Sequence, residues 1–393
     1  MQEQKIRILF PYIEAGMGHI VQMQSAVATF KEKYGDKVEI VETYFFKDGG
    51  TKHMLKIDKI NINAVKAQNR NPFFGRMLSN LLLCPIFGRR FASWAAYRFI
   101  NNRGFHDSLK YMQSLEPDVV FSTHFSTNYF AMNIKNNRPL SVLYLTNSQL
   151  HQFCKYRTDY LLTHSSEVYR KYKNKRRYRN GRMVKVDFLL RPEAFDIDKN
   201  KQYLREKLMF EKDKFTIILA EGAYGTGKTT EICEKLLQKD ISIQIIAWCG
   251  KNKEAYEHLK TLTPKYDNVT LIPIYNDKNL ETVACADLFI GKSGQSSMSE
   301  ASFFNVPTIV SNYSSKIERQ TAKYFCKVVG SAIIIKRVNK IVRQIERFLN
   351  NPDLLVPYIQ AGQRDEVNYG ADKVADFLFE ACKEVAVKKN ITL

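Results

Sequence analysis

Short apolar runs recur along this chain, each followed by a turn and then by a stretch with helical spacing. Residues 5–12 (KIRILFPY) form the first run and lead into the glycine turn Gly16-Met17-Gly18-His19. Residues 20–34 then place their apolar positions as one face of a helix does. Further strands are predicted at residues 38–46, 118–123, 142–146 and 160–163. From about residue 191 to 213 the text turns polar, and afterwards the pattern restarts. A strand at 215–220 (FTIILA) meets a second glycine turn at 222–227 and a helix running through 237; strands at 243–248, 269–274, 288–290 and 308–310 follow. Residues 365–387 predict a closing helix that packs back on the first domain. Strands alternating with helices mean βαβ units and parallel sheets. The restart predicts two doubly wound α/β domains, residues 1–195 and 196–393, with a cleft between them.

At 393 residues the chain is too long for one ordinary core, in keeping with two domains. Its formal charge of +20, from 60 Lys and Arg against 40 Asp and Glu, points to an anionic partner. The seven cysteines are scattered and include no CxxC pair, which excludes a disulfide framework and a cysteine zinc site and fits a reducing cytosol. The first residues run straight into a strand without a signal-peptide layout. No apolar run approaches the roughly 20 residues that span a bilayer. Any membrane contact is therefore expected to be peripheral, on the cytoplasmic face.

The densest chemistry lies at residues 290–310, IGKSGQSSMSEASFFNVPTIV. A short strand ends in Ser293-Gly294, a helix opens with small hydroxyl residues, and Glu300 stands inside it. Such a helix start offers unpaired N–H groups to a phosphate. Glu300 is placed to meet a ribose diol beside it, the arrangement of a nucleotide-sugar site at the carboxyl ends of a parallel sheet.

A competing motif is Gly222-Ala-Tyr-Gly225-Thr-Gly227-Lys228-Thr229, which matches G-x-x-x-x-G-K-[ST] between a strand and a helix. It predicts a P-loop NTPase. That enzyme also needs a strand-end Asp for Mg²⁺, and the candidates are poor: Asp287 precedes its strand, and the strand at 243–248 runs into Cys249-Gly250-Lys251-Asn252. The alternative is that Gly222, Gly225 and Gly227 let the backbone approach a donor closely. Asp196-Ile-Asp198 has the D-x-D form of some metal sites but lies in the polar interdomain segment, so no metal and no other cofactor is expected.

Six ordered segments carry a family resemblance: Ala15-Gly-Met-Gly-His19; Pro117-Asp-Val-Val-Phe-Ser-Thr-His124; Leu145-Thr-Asn147 with His151 following; residues 217–227; residues 245–252; and Gly291 to Glu300 continuing to residues 318–325. Together they resemble the GT-B nucleotide-sugar glycosyltransferases. The nearest likeness is to the monogalactosyldiacylglycerol synthases and diacylglycerol glucosyltransferases, with the lipid II-forming N-acetylglucosaminyltransferase more distant. The resemblance implies two Rossmann-like domains and transfer of a hexose from a UDP-sugar to a membrane lipid such as diacylglycerol, with inversion. It implies that Glu300 holds the ribose, that Ser293, Gly294 and Ser297 lie by the diphosphate, and that Gln320 and Thr321 meet the sugar hydroxyls. Gly16, Gly18, Asn147 and His151 fall on the acceptor side. The relatives' Thr-Asp is Thr146-Asn147 here, and an amide cannot act as a base.

Glycosyl transfer to an alcohol requires a base, a stabilised leaving diphosphate and a positioned sugar. His19 is the leading base candidate, since an imidazole titrates near neutrality. Glu14 and His124 are further candidates. Residues 73–99 mix aromatic and aliphatic side chains with arginines, among them Arg89, Arg90 and Trp94, and residues 170–179 hold the cationic cluster of Arg176, Arg177 and Arg179. Both suit an anionic membrane surface. No RNA-binding motif accompanies them, so nucleic acid is not expected as a partner. Three readings compete with lipid glycosylation: a soluble UDP-sugar enzyme such as a 2-epimerase, the P-loop NTPase, and a non-catalytic lipid-surface module.

Overall fold

The structure, a computed structural model, describes residues 5–14, 17–70, 77, 102–222, 225, 227–262, 268–276, 279–362 and 368–393. The chain divides into two compact units. One comprises Met1–Gln68, Phe73–Pro192 and Val367–Leu393; the other comprises Asn69–Pro72 and Glu193–Glu366.

The first unit is built on a parallel sheet of β1 (Arg7–Tyr12), β2 (Glu39–Tyr44), β3 (Val119–Ser122), β4 (Leu140–Leu145), β5 (Tyr160–Thr163) and β6 (Met183–Lys185). Their order across the sheet is β2-β1-β3-β4-β5-β6. β3 and β4 are buried at every position, which explains why they read as continuous apolar runs rather than alternating ones. Helix α1 (Met17–Tyr34) returns from β1, and α2 (Phe125–Asn133) follows β3.

The second unit repeats the plan with β7 (Phe215–Ala220), β8 (Ile243–Gly250), β9 (Val269–Tyr275), β10 (Leu288–Lys292), β11 (Thr308–Asn312) and β12 (Ala332–Ile334). All pair in parallel, in the order β12-β11-β10-β7-β8-β9. The helices used below are α3 (Thr229–Leu237), α4 (Gln295–Phe303), α5 (Lys316–Tyr324) and α6 (Val338–Asn350). Ile232 and Leu236 of α3 and Ile341 and Ile345 of α6 are fully buried in one core with Ile217, Ile245 and Ile290 of the sheet. Asp287 serves the amino end of this sheet. It accepts from the N–H of Thr216 at 2.9 Å and from the guanidinium of Arg205 at 2.6 Å. It is thus a clamp between the starts of β7 and β10, away from the glycine turn.

Helix α7 (Asp372–Lys389) belongs to the first unit. Tyr34 stacks on Phe379 with centroids 4.1 Å apart and planes within 5°. Lys33 pairs with Asp376 at 2.5 Å, and Tyr160 donates to Glu384 at 2.7 Å.

In a doubly wound sheet, ligands bind where the strand order reverses, beyond the carboxyl ends. In the first unit that point lies between β1 and β3, and in the second between β7 and β10. The chain leaving β3 is Thr123-His124, and α1 carries His19 in its first turn. The chain leaving β7 is Glu221-Gly222, and the chain leaving β10 is Ser293-Gly294.

Candidate functional site

At the switch point of the first unit the backbone fixes one imidazole. His19 Nδ1 lies 2.8 Å from the carbonyl of Thr123, and the Thr123 hydroxyl donates back to the carbonyl of His19 at 3.1 Å. A carbonyl only accepts, so Nδ1 must carry the proton and Nε2 keeps its lone pair. Burial lowers the pKa of His19, and the Thr123 carbonyl opposes that only in part. The ring is therefore neutral, in the tautomer a base requires.

His124 packs edge-on against it, with ring centroids 4.9 Å apart at 82°. His124 has another duty: its Nδ1 caps α2 by accepting from the N–H of Ser126 at 3.3 Å. Its pKa is held well below the ordinary value, by burial first and then by His19 and His151. His151 is also depressed, to about 4, by burial and by His19, and among the described residues neither of its ring nitrogens has a hydrogen-bond partner. Imidazoles from the first turn of α1 and from the segments after β3 and β4 thus gather at the carboxyl end of the sheet, where burial keeps them uncharged and neighbouring imidazoles add to that at His124 and His151.

Asn147 leaves β4 beside this group, with its amide donating to the Thr146 hydroxyl at 3.2 Å. The Thr146 carbonyl accepts from Gln22 of α1 at 3.4 Å. Glu14 is differently engaged, its carboxylate paired with the Lys47 ammonium at 2.5 Å. Gly18 lies in the first turn of α1. Gly16, Arg89, Arg90 and Trp94 lie outside the described residues. Arg176, Arg177 and Arg179 are exposed. They sit in the turns after the helix Ser166–Tyr172; Tyr178, 4% exposed, anchors the segment.

At the switch point of the second unit the polar groups are hydroxyls, carboxyls and N–H donors. Gly294 begins α4 in extended backbone, and no side chain caps the helix. A first turn of this kind can receive an anion. The Ser293 hydroxyl is fully buried and donates to the carbonyl of Glu318 at 2.9 Å. Gln295 accepts from Thr321 at 3.3 Å, tying α4 to α5. Ser297 is half-buried, whereas Glu300 is only 1% exposed. The buried Oε1 of Gln320 has no hydrogen-bond partner among the described residues. Glu318 completes a capping box with Ser315: its N–H donates to Ser315 Oγ at 3.1 Å, and its carboxylate accepts from the N–H of Ser314 at 2.6 Å. It also pairs with Lys292 at 2.7 Å.

The glycine turn after β7 needs glycine for two reasons. Gly225 has φ +56°, and a Cβ there would stand 2.0 Å from the Cys249 carbonyl of β8. A Cβ on Gly227 would meet the Glu221 side chain at 2.2 Å. Glu221, 4% exposed, accepts from Ser311 at 2.5 Å. Burial raises its pKa; Ser311, the N–H of Lys228 and the charges of Lys228 and Lys292 oppose that. The space beneath this turn thus already holds a carboxyl, and the Lys228 ammonium bonds the Lys336 carbonyl. Glu221 was the residue least visible beforehand. Its one sequence signal is a carboxylate standing directly after a wholly apolar strand.

Among the described residues no group of three or more His, Cys, Asp and Glu could hold a metal ion. Asp198 instead accepts from the N–H of Asn200 at 2.8 Å, closing a turn. Among the same residues no helix is long and apolar enough to cross a membrane.

Several solved structures share this architecture over nearly the whole chain. Acinetobacter baumannii MurG aligns at TM-score 0.57 and 13% identity, covering 96% of this chain and 100% of its own. The glycosyltransferase SnogD from Streptomyces nogalater aligns at 0.59 and 14%, with coverage of 96% and 100%. The protein has the GT-B fold. Within this GT-B chain, residues 228–369 match the glycosyltransferase family 28 C-terminal domain. A putative UDP-N-acetylglucosamine 2-epimerase from Listeria monocytogenes shares the architecture at 0.60 and 13%, with coverage of 97% and 96%. In sequence the chain is similar to the processive diacylglycerol beta-glucosyltransferase of Bacillus licheniformis, 30% identical over 155 residues, which is 39% of each protein. The Staphylococcus saprophyticus enzyme of the same name is 24% identical over 192 residues, 49% of each. The match thus spans less than half the length of these curated relatives.

Proposed function

We propose that this GT-B protein is an inverting hexosyltransferase that moves a sugar from a UDP-sugar to the hydroxyl of a membrane lipid such as diacylglycerol, at the cytoplasmic face of a membrane. The observation that carries it is the His19–Thr123 bond, which leaves Nε2 unprotonated and the ring neutral. His19 Nε2 takes the proton of the acceptor hydroxyl as its oxygen bonds to the anomeric carbon. The bond to the diphosphate breaks on the opposite face, so configuration inverts. UDP departs with the electron pair, and the uncapped first turn of α4, with Ser293, Gly294 and Ser297, receives its charge. Glu300 would hold the ribose hydroxyls, and Gln320 and Thr321 the sugar. Gly222, Gly225 and Gly227 would keep the backbone close to the donor.

The lipid acceptor is supported by the curated relatives, which are named as diacylglycerol glucosyltransferases. The likeness to an epimerase keeps one second reading in play, a UDP-sugar enzyme without a lipid acceptor. Incubation with labelled UDP-glucose and diacylglycerol vesicles decides between them. Label in the lipid with equimolar UDP supports transfer; an isomerised nucleotide sugar with no UDP released supports the second reading. Turnover should survive EDTA, because the proposal assigns no step to a metal. Calorimetry with ATP and Mg²⁺ tests the G-x-x-x-x-G-K-T match, and binding lost in Lys228→Ala would restore the NTPase reading.

A further inference from the structure

The second unit carries a basic groove that none of this chemistry uses. It has a volume of about 580 Å³ and is lined by Lys228, Lys235, Lys336, Arg337, Lys340 and Arg343, with Glu231 as its one acidic side chain. Its walls are α3 and α6, held together underneath by Ile232, Leu236, Ile341 and Ile345.

Gathering so many cations is costly unless each finds a counter-charge, since like charges at this range repel. Two have internal partners. The Lys228 ammonium bonds the Lys336 carbonyl, and the Lys336 ammonium lies 3.3 Å from the centroid of the Tyr313 ring. Among the described residues Lys235, Arg337, Lys340 and Arg343 make no ion pair, although Lys239, just past the end of α3, does pair with Glu346 of α6 at 3.0 Å. Helix α6 also begins without a side-chain cap or an acidic residue in its first turn, so its positive end adds to the field.

We propose that this groove docks on the phosphate headgroups of an anionic lipid bilayer. The described residues supply no counter-charge to these four, and a phosphate-bearing surface would. The layout favours a surface over one small anion. Arg337, Lys340 and Arg343 follow one another by three residues along α6, so they spread over about 9 Å of helix axis. Ile334, at the end of β12 and two residues before Lys336, is 38% exposed and offers an apolar contact at the headgroup boundary. The inference shares a membrane with the proposed lipid acceptor, but its readout does not pass through sugar transfer.

The test is flotation of the full chain with vesicles of phosphatidylglycerol in phosphatidylcholine, at low and at high salt. The variant Lys235→Gln/Lys340→Gln/Arg343→Gln should bind about a hundredfold more weakly, at roughly fivefold for each basic residue lost near the surface. Its thermal midpoint and its UDP affinity should match the parent, which excludes misfolding. Lys235→Arg/Lys340→Arg/Arg343→Lys should retain binding. Unchanged flotation of the neutralised variant would overturn the proposal. So would a saturable site for inorganic pyrophosphate that this variant loses while it still floats, because the groove would then serve a free anion. Tighter binding of a single-stranded oligonucleotide than of the vesicles would assign the groove to nucleic acid and overturn it as well.

Discussion

The two sheets are built alike and end differently. At its switch point the first unit collects imidazoles and the second collects hydroxyls, carboxyls and a bare helix start. The imidazoles are kept neutral by burial, to which neighbouring imidazoles add at His124 and His151. The second unit spends its carboxyls locally, Glu221 on Ser311 and Glu318 on its capping box and Lys292, and leaves N–H donors in the first turn of α4 without a side-chain cap. One edge can take a proton at neutral pH, and the other can receive negative charge. A shared topology therefore fixes where a site lies, while the residues leaving each strand set its chemistry.

The largest expected effect tests the basic half of that contrast. His19→Ala should lower turnover by about 10²–10⁴-fold, the usual worth of a general base, with UDP affinity kept. Because burial lowers its pKa, the acid limb of the parent's kcat/KM profile should have its midpoint below about 6.5, the value of a free imidazole. Full activity in His19→Ala, or a midpoint above that value, would break the comparison.

Glu300→Gln comes next. It should weaken UDP binding by about 1–3 kcal/mol, the cost of a lost hydrogen bond to a charged group, as read by calorimetry on a protein whose melting temperature is checked in parallel. Unchanged affinity would remove Glu300 from the anion-receiving half.

Glu221→Gln should act on stability through pH. Its carboxyl is held above the ordinary value when folded, so between about 4.3, the unfolded value, and that raised value the folded chain binds more protons than the unfolded one. Stability therefore falls as pH rises through that window, and no penalty exists below it. The Gln variant should show a flatter melting profile over the same range; identical slopes would mean that Glu221 is ionised in the fold.

The smallest effect belongs to Glu14. Its pair with Lys47 is partly exposed, so Glu14→Gln should cost no more than about 1 kcal/mol and leave turnover near the parent's. A loss of turnover comparable to that of His19→Ala would make Glu14 the base and reassign the first edge.

Most of this architecture was legible in the residues. Buried central strands such as FTIILA and IQIIAW are continuous apolar runs, and the glycine turns mark where strands hand over to helices. β6 and β12 were not predicted. Each is three residues long and pairs with a single neighbour, so neither needs a hydrophobic run of its own. The strand predicted at 38–46 stops at Tyr44, where Phe45 and Phe46 turn into the core as a short helix instead. The sequence placed His19 on a glycine turn, His124 at a strand end and His151 after the next strand. It could not reveal that they meet, or that His124 also caps α2, because contacts across loops have no period. Glu221 was hidden for a related reason, since a buried carboxyl and a solvated one are the same letter.

Helix α7 has a consequence for the order in which the protein is made. Its contacts with α1 join residues more than three hundred positions apart, as Tyr34 and Asp376 do. A ribosome delivers α7 only after the second unit. Nearly all of the second unit has left the tunnel by then and can close on its own nearby contacts, whereas the first must wait with one face of its sheet uncovered. The first unit thus finishes folding after the second, and a stop codon shortly before residue 372 would leave an exposed apolar face on the half that carries His19.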